Sequence, residues 1–439
     1  MSRKSANDEP LIGMRTFKPY PVYQKSDIEW LGQIPTAWNV RRLKMLISEP
    51  IADGPHETPE FLPEGIPFLS VDGIQEGELV FEGCRYISEA AHNEYRKKCA
   101  PRRNDLLMGK AASTGKIARV KVDYEFSVWS PLALIRPDPV EAESGFLEYA
   151  LKSAATQAQI DVLCTSNTQK NISMLAIPTL SVCVAPLSQQ RTIAAFLDRE
   201  TAKIDALVAK NERLIELLQE QCEALIARAF TGRAGPGCEA RKLRHLLRQV
   251  KRPVSVQPNS YYQEIGIRSW GKGIFHKEPL RGALLEEKSV YYIEPGDLVL
   301  NIVFAWEGAV AVVSNDEKGM VASHRFPTFR TTLDVNLDYL LGYLQSEHGR
   351  SLMEINSPGA AGRNRTIRLG QFLDEEMPLP TLDEQARIIK ALRAEELRLD
   401  ALLAKIIEAV AQLKEFRTAL ISAAVTGKID VRSQMSAAP

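Results

Sequence analysis

The sequence predicts a mixed α/β protein in which two globular domains are separated by two long helices, arranged as an internal repeat. First, residues 187–232 and 382–427 align without a gap at a constant offset of 195, which indicates an internal duplication. Second, neither segment contains proline, or glycine before its last residue, and apolar residues recur in both at heptad spacing. Third, the stretch before each segment carries short β-type runs separated by glycine and proline.

The composition is that of an ordinary globular protein. The 439 residues correspond to about three domains, and 45% hydrophobic and 25% charged residues are usual for this class. No apolar run approaches the ~18 residues of a membrane span, and the polar N-terminus lacks the apolar core of an export signal. The six cysteines form no C-x-x-C pair and, with six dispersed histidines, no zinc pattern. We therefore expect a cytoplasmic protein with reduced thiols, no membrane association and no metal.

The repeat sets the predicted boundaries. We expect a disordered lead at residues 1–20 and a tail at residues 431–439. Between them lie a first globular domain, a first long helix, a second globular domain and a second long helix, at residues 21–185, 186–232, 233–380 and 381–430. Ser188 and Asp383 are of the types that favour helix N-caps, and Gly232 and Gly427 stand where a glycine ends a helix.

The heptad pattern predicts a coiled coil. Each helix would be about 65 Å long at about 1.5 Å per residue, which suits a spacer better than part of a compact domain. The first position of the seam is held by Leu197, Ile204, Asn211, Leu218 and Leu225 in one copy, and by Leu392, Leu399, Ile406, Leu413 and Leu420 in the other. We assign the partner position, three residues on, to Leu207, Leu214, Leu402, Ala409 and Phe416. Asn211 either fixes the register of pairing or lies in water at the edge of the seam.

The first globular domain is predicted to mix short strands with helices. Trp30 and Trp38 are expected to pack on the domain as anchors. The elements expected in chain order are a short helix at 41–48, β-type runs at 66–71, 78–81, 105–108, 117–122 and 132–135, a helix at 146–163 and a strand-like return at 172–184. The second domain repeats this plan more loosely, since the runs that begin at Val40, Asn104 and Gly115 are echoed at Ala240, Gly296 and Gly308.

Lysine and arginine are concentrated in two stretches, although the net charge is zero. Residues 96–121 contain nine of them against one acid, Asp105, and residues 236–275 contain eight against Glu239 and Glu264. A local excess of positive charge, rather than the total, attracts phosphates. One such stretch would be typical of a solvated surface, but two in two repeated units favour a nucleic-acid partner.

Loops of both domains supply candidate contacts to nucleic acid. In the small basic loop at residues 110–116 and just beyond it, Ser113, Thr114 and backbone N–H groups could hold a phosphate, with Lys110, Lys116 or Arg119 supplying charge. The loop at residues 165–171 is rich in amides, which can read adenine, and its candidates are Asn167, Gln169, Lys170 and Asn171. The second domain offers Arg268, Trp270 and Lys272, and then Arg363, Asn364 and Arg365, whose arginines suit guanine or phosphate. Each loop could instead be an ordinary solvated turn.

No catalytic motif is present. The sequence has neither a G-x-x-x-x-G-K-[ST] phosphate loop nor a G-x-G-x-x-G turn, and it has no Ser/His/Asp set or nuclease-like acid cluster. His324, between Ser323 and Arg325, could act as an acid or base, but a single histidine in such a stretch is more often structural or a polar contact. We therefore expect a protein that binds rather than catalyses.

The chain resembles the DNA-specificity subunits of type I restriction–modification systems over nearly its whole length. Residues 26–38, SDIEWLGQIPTAW, are similar to the N-terminal motif of that family. The segments LSQQRTIA, from Leu187, and LDEQARII, from Leu382, each follow a strand and a proline, and each opens a long helix that leads to Thr-Gly. The tandem arrangement is more specific than either motif alone.

The resemblance implies two target-recognition domains, each reading one half of a split, asymmetric site in double-stranded DNA. It implies that the helices pair antiparallel, fix the unread spacer and dock two methyltransferase subunits, which in turn recruit restriction subunits. S-adenosylmethionine would bind the methyltransferase, so this chain would bind no cofactor and would not be an enzyme. The chain order agrees with antiparallel pairing, because the first helix leads from the first domain to the second and the second helix leads back. Half-site geometry would then follow protein geometry.

A second interpretation is a coiled-coil scaffold whose basic domains bind protein or RNA. It predicts that any binding to duplex DNA is without sequence preference. It also predicts no need for a methyltransferase partner.

Overall fold

The computed structural model describes residues 17–26, 28, 31–164, 170–231, 238–285, 289–359 and 365–434. The chain divides into two units, of which unit 1 is Met1–Glu212 with Glu408–Pro439 and unit 2 is Arg213–Ile407. Each unit therefore contains one α/β domain and one half of each long helix. Among the residues that the structure describes, no helix combines the length and the apolar content of a membrane span. Within the same residues, His, Cys, Asp and Glu form no group that could hold a metal ion.

Among the residues that the structure describes, the α/β domain of unit 1 contains short strands and three α-helices. Its strands are β1 (Tyr23–Lys25), β2 (Gln33–Pro35), β3 (Asn39–Arg42), β4 (Ala52–Asp53), β5 (Ile66–Leu69), β6 (Ile74–Gln75), β7 (Glu78–Leu79), β8 (Arg85–Ile87), β9 (Leu106–Gly109), β10 (Ile117–Arg119), β11 (Ser127–Val128), β12 (Leu132–Ile135) and β13 (Ser181–Val184). Its helices are α1 (Glu89–Tyr95), α2 (Ser144–Lys152) and α3 (Ala154–Leu163), and the long helix α4 (Leu187–Thr231) follows.

The strands of unit 1 form one four-stranded sheet and several smaller ones. The larger sheets have the orders β10-β9-β12-β4 and β11-β5-β8. Strand β13 pairs antiparallel with β3, so the end of the domain closes on its beginning. The apolar core continues from the domain into the long helix, because Phe146 and Ile135 belong to the same buried cluster as Ile193 and Leu197.

Three expectations for unit 1 are corrected by the structure. The helix expected at 146–163 is two helices, because Ser153 is extended, with ψ 148°, and caps α3 by accepting from the N–H of Thr156. The strand expected at 172–184 is confined to β13, and the helix expected at 41–48 is strand β3 followed by one 3₁₀ turn at Leu43–Met45. Trp38 is fully buried, as predicted for an anchor, whereas Trp30 and lead residues 1–16 lie outside the described residues. Tyr20, at the end of the predicted lead, is buried.

The α/β domain of unit 2 follows the same plan. Its strands are β14 (Glu239–Lys242), β15 (Leu247–Val250), β16 (Tyr261–Tyr262), β17 (Ile265–Ile267), β18 (Ile274–His276), β19 (Leu280–Arg281), β20 (Val290–Tyr292), β21 (Leu298–Leu300), β22 (Val310–Val312), β23 (Val321–Ser323), β24 (Thr328–Thr331) and β25 (Glu376–Leu379). Its helices are α5 (Leu243–Leu246), α6 (Leu337–Gln345), α7 (Glu347–Ile355) and α8 (Leu369–Phe372), and the long helix α9 (Leu382–Val425) follows.

The four-stranded sheets and the closing strand pairs of the two units correspond. The order β22-β21-β24-β15 repeats β10-β9-β12-β4, and the pair β14–β25 repeats β3–β13. A parallel bridge between Glu264 and Val321 joins the start of β17 to β23, as β5 pairs in parallel with β11. The loose echoes in the sequence therefore mark equivalent elements.

Both predicted long helices are present and continuous. They begin at Leu187 and Leu382, so Ser188 and Asp383 lie inside the first turn and the prediction that they are N-caps is wrong. Gly427 adopts a left-handed conformation, with φ +73°, and the N–H of Lys428 donates to the carbonyl of Ala423 at 2.8 Å. This arrangement confirms the glycine stop of the second helix, whereas Gly232 lies outside the described residues.

The two long helices pack against each other antiparallel. In unit 1, Asp205 of α4 forms an ion pair with Arg417 of α9 at 2.8 Å, and Glu212 of α4 forms one with Lys414 of α9 at 2.9 Å. The residue number rises along α4 where it falls along α9, so the two helices run in opposite directions. In unit 2, Leu218 of α4 shares a buried cluster with Leu399 and Ile406 of α9. The pairing therefore holds within each unit taken separately.

Most residues of the predicted first seam position are buried, whereas the assigned partner position is wrong. Among the predicted first-position residues, the buried ones are Leu197, Ile204, Leu218, Leu399, Ile406 and Leu420, and the half-buried ones are Asn211, Leu225, Leu392 and Leu413. The assigned partners Leu207, Leu214 and Leu402 are 40–49% exposed, and Ala409 and Phe416 are half-buried. The partner lies four residues on instead, at buried positions such as Thr201, Val208 and Val410.

A buried glutamine joins each α/β domain to its long helix in the same way. In unit 1, Gln190 Oε1 accepts from the N–H of Glu143 at 2.7 Å, and its Nε2 donates to the carbonyls of Ala185 at 2.8 Å and Glu141 at 3.2 Å. In unit 2, Gln385 accepts from the N–H of Asn336 at 2.7 Å and donates to the carbonyls of Pro380 at 2.8 Å and Asp334 at 3.3 Å. Glu143 and Asn336 cap α2 and α6, so each glutamine joins the first turn of α2 or α6 to the start of the long helix. We call these contacts the glutamine junctions.

Candidate nucleic-acid interface

Two candidate loops of unit 1 lie side by side. Ala111 and Asn171 form a β-bridge, the N–H of Ile172 donates to the carbonyl of Lys110 at 2.9 Å, and Thr114 Oγ1 donates to the carbonyl of Lys170 at 2.6 Å. The structure thus brings two segments that are about 60 residues apart in the chain into one surface, which also holds Ser113 and Lys116. Asn167 and Gln169 lie outside the described residues.

The cations of this surface differ in how far the fold already uses them. Lys110 is mostly buried and lies 3.0 Å from Asp53. Burial alone would raise the pKa of Asp53, but hydrogen bonds from Lys98 and Lys110 outweigh it and hold this pKa below its usual value. Lys116 is exposed, and its ammonium donates only to a backbone carbonyl, that of Ile74, at 3.1 Å. Lys116 is therefore better placed than Lys110 to meet a phosphate.

Arg119 faces the interior of unit 1. Its Nε lies 3.1 Å from a carboxylate oxygen of Glu148, which is 3% exposed, and its Nη2 lies 3.5 Å from Asp198. Lys152 contacts the other oxygen of Glu148. This arrangement favours a structural role for Arg119, although its assignment to phosphate binding stays a prediction.

The basic stretch at residues 96–121 is largely neutralised within the fold. Seven of its nine cations pair with carboxylates from other parts of the chain or one turn away: Arg96, Lys97, Lys98, Arg103, Lys110, Arg119 and Lys121. The charge excess in the sequence therefore overstates the positive charge that unit 1 presents at this surface.

The second basic stretch, in unit 2, keeps more of its charge. Arg241, Arg244 and Arg252 pair with carboxylates. The remaining five are exposed and have no ion-pair partner among the described residues: Lys242, Arg248, Lys251, Arg268 and Lys272. Unit 2 therefore carries the stronger local field for an anionic partner.

The turn between β17 and β18 presents Arg268, Trp270 and Lys272. Trp270 is 61% exposed and adopts a left-handed conformation, with φ +62°. Its N–H donates to the carbonyl of Glu307 at 2.8 Å, and the guanidinium of Arg350 lies 5.5 Å from its ring centroid. An exposed tryptophan held in place by its backbone and by a stacked arginine is suited to contact a partner.

Arg365 reaches the same segment of unit 2. Its guanidinium lies 5.1 Å from the ring centroid of Trp306 and 3.0 Å from Glu354. Trp270 contacts Glu307, and Arg365 contacts the neighbouring residue Trp306. The two candidate groups of unit 2, at residues 268–272 and 363–365, therefore both contact residues 305–308. In unit 1 the two candidate loops contact each other at Lys110 in a similar way. Arg363 and Asn364 lie outside the described residues.

Each unit also has a recess at the carboxyl end of its parallel strand pair. In unit 2 the recess has a volume of about 780 Å³, and it is lined by Arg268, Phe275, His324 and Arg325 among others. In unit 1 the recess has a volume of about 80 Å³ and is lined by Arg85 and Trp129 among others. Both contain residues that follow the two parallel strands.

The sequence interpretation missed three arginines near these surfaces: Arg85, Arg325 and Arg350. Arg85 illustrates why, because it stacks on Phe61 and Trp129, which are remote from it in sequence. The only signal for Arg85 in the sequence is an arginine within a β-type run, which does not by itself indicate a binding residue. His324, considered above as an acid or base, lies exposed at the rim of the unit 2 recess beside Arg325.

The sequence and the fold were compared with those of known proteins. No protein-family model matches the chain. The specificity subunit of the type I restriction enzyme EcoKI, from Escherichia coli (strain K12), is 20% identical over 397 residues, which cover 83% of this chain and 82% of that protein. The StySPI specificity subunit, from Salmonella potsdam, is 21% identical over 389 residues, with the same coverage of both chains.

Two solved structures share the fold. A chain from a study of complex assembly and conformational transition of the type I R-M system superposes with a TM-score of 0.67 at 16% identity, covering 90% of this chain and 99% of its own. The HsdS subunit from Thermoanaerobacter tengcongensis superposes with a TM-score of 0.55 at 16% identity, covering 90% and 98%. These findings confirm the predicted fold class and, separately, the resemblance to type I specificity subunits.

Proposed function

We propose that this chain is the DNA-specificity subunit of a type I restriction–modification system and is not itself an enzyme. The observation that carries the proposal is the duplicated plan of two α/β domains on two antiparallel helices, in a chain that matches a protein named as a specificity subunit over 83% of its length. The repeat of the same elements in both units, with a glutamine junction in each, suits a protein that binds two similar targets.

In this proposal each α/β domain reads one half of a split, asymmetric site in double-stranded DNA. Support comes from the paired candidate loops of unit 1 and from the exposed cations of unit 2. Cations contribute affinity through phosphates, and base-edge contacts contribute specificity. Lys116, Lys170 and Asn171 are the described loop candidates of unit 1 with the most exposure, and Arg268, Trp270 and Lys272 are those of unit 2.

The long helices fix the spacer and dock two methyltransferase subunits, through which restriction subunits join. Support comes from leucines that remain exposed on them, including Leu207, Leu214 and Leu402. S-adenosylmethionine belongs to the methyltransferase in this arrangement, and the complex acts on DNA in the cytoplasm. This chain contributes only the choice of site.

The test is methylation mapping. The chain is co-expressed with the methyltransferase subunit encoded beside it, and the DNA is sequenced for modified adenine. We expect a split motif with a fixed spacer that disappears when this chain is omitted. Adenine methylation that does not depend on this chain, or a folded complex that methylates nothing, would favour the scaffold that binds protein or RNA.

A further inference from the structure

The recesses of the two units share one feature: each contains an exposed arginine that is stacked on an aromatic ring and has no ion pair with any residue that the structure describes. In unit 2 the guanidinium carbon of Arg268 lies 5.6 Å from the ring centroid of Phe275. Arg268 is exposed, and its side chain has no ion pair or hydrogen bond with any residue that the structure describes. Its hydrogen-bonding edge is therefore available to a ligand.

A glycine supports this stack in unit 2. Strand β17 pairs Gly266 with Phe275 of β18. A Cβ atom at Gly266 would lie 2.2 Å from the ring of Phe275, so only glycine allows the ring to lie across the strand. The sheet therefore constrains the ring of Phe275, on which Arg268 stacks from the turn directly after β17.

In unit 1 the equivalent recess contains Arg85. Its guanidinium carbon lies 4.6 Å from the ring centroid of Phe61 and 5.8 Å from that of Trp129. Arg85 is also exposed, without an ion pair or side-chain hydrogen bond to any described residue. It stands on β8, opposite Phe68 of β5, whereas Arg268 follows β17. The two units therefore present the same group at the same end of the parallel strand pair, and each does so from a different strand.

The chemistry of a stacked arginine favours one ligand. Guanidinium is planar and rigid, and its N–H groups lie in that plane. Stacking on a ring holds the plane in one orientation and leaves its edge free. In the major groove that edge matches O6 and N7 of guanine, which accept two parallel hydrogen bonds. A phosphate needs charge more than a fixed plane, and the exposed lysines already supply charge.

We propose that Arg85 and Arg268 each read one guanine, in the half-site of their own unit. The inference rests on the proposed function, which it deepens by naming two specificity residues. It requires that the methylated motif contain a guanine in each half. A bidentate arginine–guanine pair typically discriminates against the wrong base by about 5- to 150-fold.

The experiment is methylation mapping of Arg85→Ala and Arg268→Ala in the complex with the methyltransferase subunit. We expect each variant to accept other bases at a single former guanine position, in one half-site for Arg85→Ala and in the other for Arg268→Ala. The loss of discrimination should be about 5- to 150-fold. Arg85→Lys and Arg268→Lys should relax the same positions, because an ammonium cannot bond in the same bidentate plane.

A matched control is Arg432→Ala. Arg432 is also stacked, 4.9 Å from the ring centroid of Tyr20, but it is paired with Asp430, and it should leave the motif unchanged. Unchanged motifs in the arginine variants, relaxation of the same half by both, or a half-site without guanine would overturn the inference. An equal loss of affinity for all sequences, with a smaller salt dependence, would show a phosphate contact and would also overturn it. A wild-type complex with no split motif would instead refute the proposed function.

Discussion

The glutamine junctions and the recesses have diverged to different degrees between the two units. Gln190 and Gln385 make the same three hydrogen bonds, with lengths that agree within 0.1 Å. The recess arginine, by contrast, comes from β8 in unit 1 and from the turn after β17 in unit 2. A junction made to backbone groups tolerates any change in the side chains around it, whereas a stack of side chains has to be rebuilt in each copy. The contacts that join each domain to its long helix have therefore been kept in both units, whereas the recess residues have changed.

The two basic stretches also differ between the units, in how many of their cations form ion pairs within the fold. Unit 1 pairs most of its cations internally, including Arg119 with the buried Glu148. Unit 2 leaves cations such as Lys272 exposed and unpaired among the described residues. The same residue type thus stabilises the fold in one unit and is available to a partner in the other.

The largest effect is expected at the junctions. Gln190→Leu would leave the buried N–H of Glu143 and two carbonyls without partners, and Gln385→Leu would do the same around Asn336. Each should lower the free energy of unfolding by about 3 kcal/mol, because an unsatisfied buried polar group costs about 1–3 kcal/mol. The measurement is urea denaturation with hydrogen exchange at the start of α2 and α6.

The control for this pair is Gln219→Leu, on the exposed face of α4, which should change stability by less than about 0.5 kcal/mol. Equivalence of the junctions predicts equal losses for Gln190→Leu and Gln385→Leu, each confined to its own unit. If only one of the two variants were destabilised, the two junctions would not contribute equally to stability, although they make the same hydrogen bonds.

Arg119→Ala should give the next largest effect. It removes one partner of the buried Glu148 but leaves Lys152 in contact, so we expect a loss of about 2 kcal/mol in the free energy of unfolding. Arg103→Ala breaks an exposed pair with Asp123 and should cost less than about 1 kcal/mol. If Arg119→Ala left stability intact but weakened DNA binding and its salt dependence, Arg119 would be a phosphate contact as the sequence suggested.

The parts of the fold that depend on local periodicity could be predicted from the sequence. Heptads and the absence of proline and glycine indicate both long helices, and the gap-free repeat indicates their equivalence. The partner seam could not be predicted, because apolar residues stand both three and four residues after the first position, as Leu207 and Val208 do after Ile204. Only the location of the second helix decides which of them is buried.

The candidate site was less predictable for a related reason. The charge of residues 96–121 is offset by acids outside that stretch, such as Asp53, Asp123 and Glu148, and the sequence alone does not show which cations they pair with. The stack on Arg85 likewise needs Phe61 and Trp129, which the fold brings together. The helix break at Ser153 has no proline or glycine to announce it, and the capping serine is recognisable only beside its partner Thr156.

Smaller effects are expected for the exposed lysines. Lys116→Ala and Lys272→Ala should each weaken DNA binding by a similar factor for all sequences and reduce the slope of log K against log salt by about 1. Lys97→Ala, which removes an exposed cation paired with Glu94, serves as the control. Fluorescence anisotropy over a salt series gives the slopes, and slopes equal to the wild type would remove both lysines from the interface.

The smallest effect is expected at Asn211. Its amide donates to the carbonyl of Leu207, in its own helix, at 2.8 Å, which supports the edge of the seam over a register role. Asn211→Leu should therefore change the free energy of unfolding by less than about 1 kcal/mol and leave the methylated spacer unchanged. A second spacer length in the methylation map would instead show that Asn211 fixes the register.

The central claim of the proposed function is that the two long helices fix the length of the spacer between the two half-sites of the DNA. Its most direct test removes one heptad from each helix at equivalent positions, residues 211–217 and 406–412, and maps methylation by the resulting complex. At about 1.5 Å per residue the helices shorten by ~10 Å, so we expect the same two half-sites with a spacer shorter by about 3 base pairs. The same half-sites at the original spacer would contradict the claim.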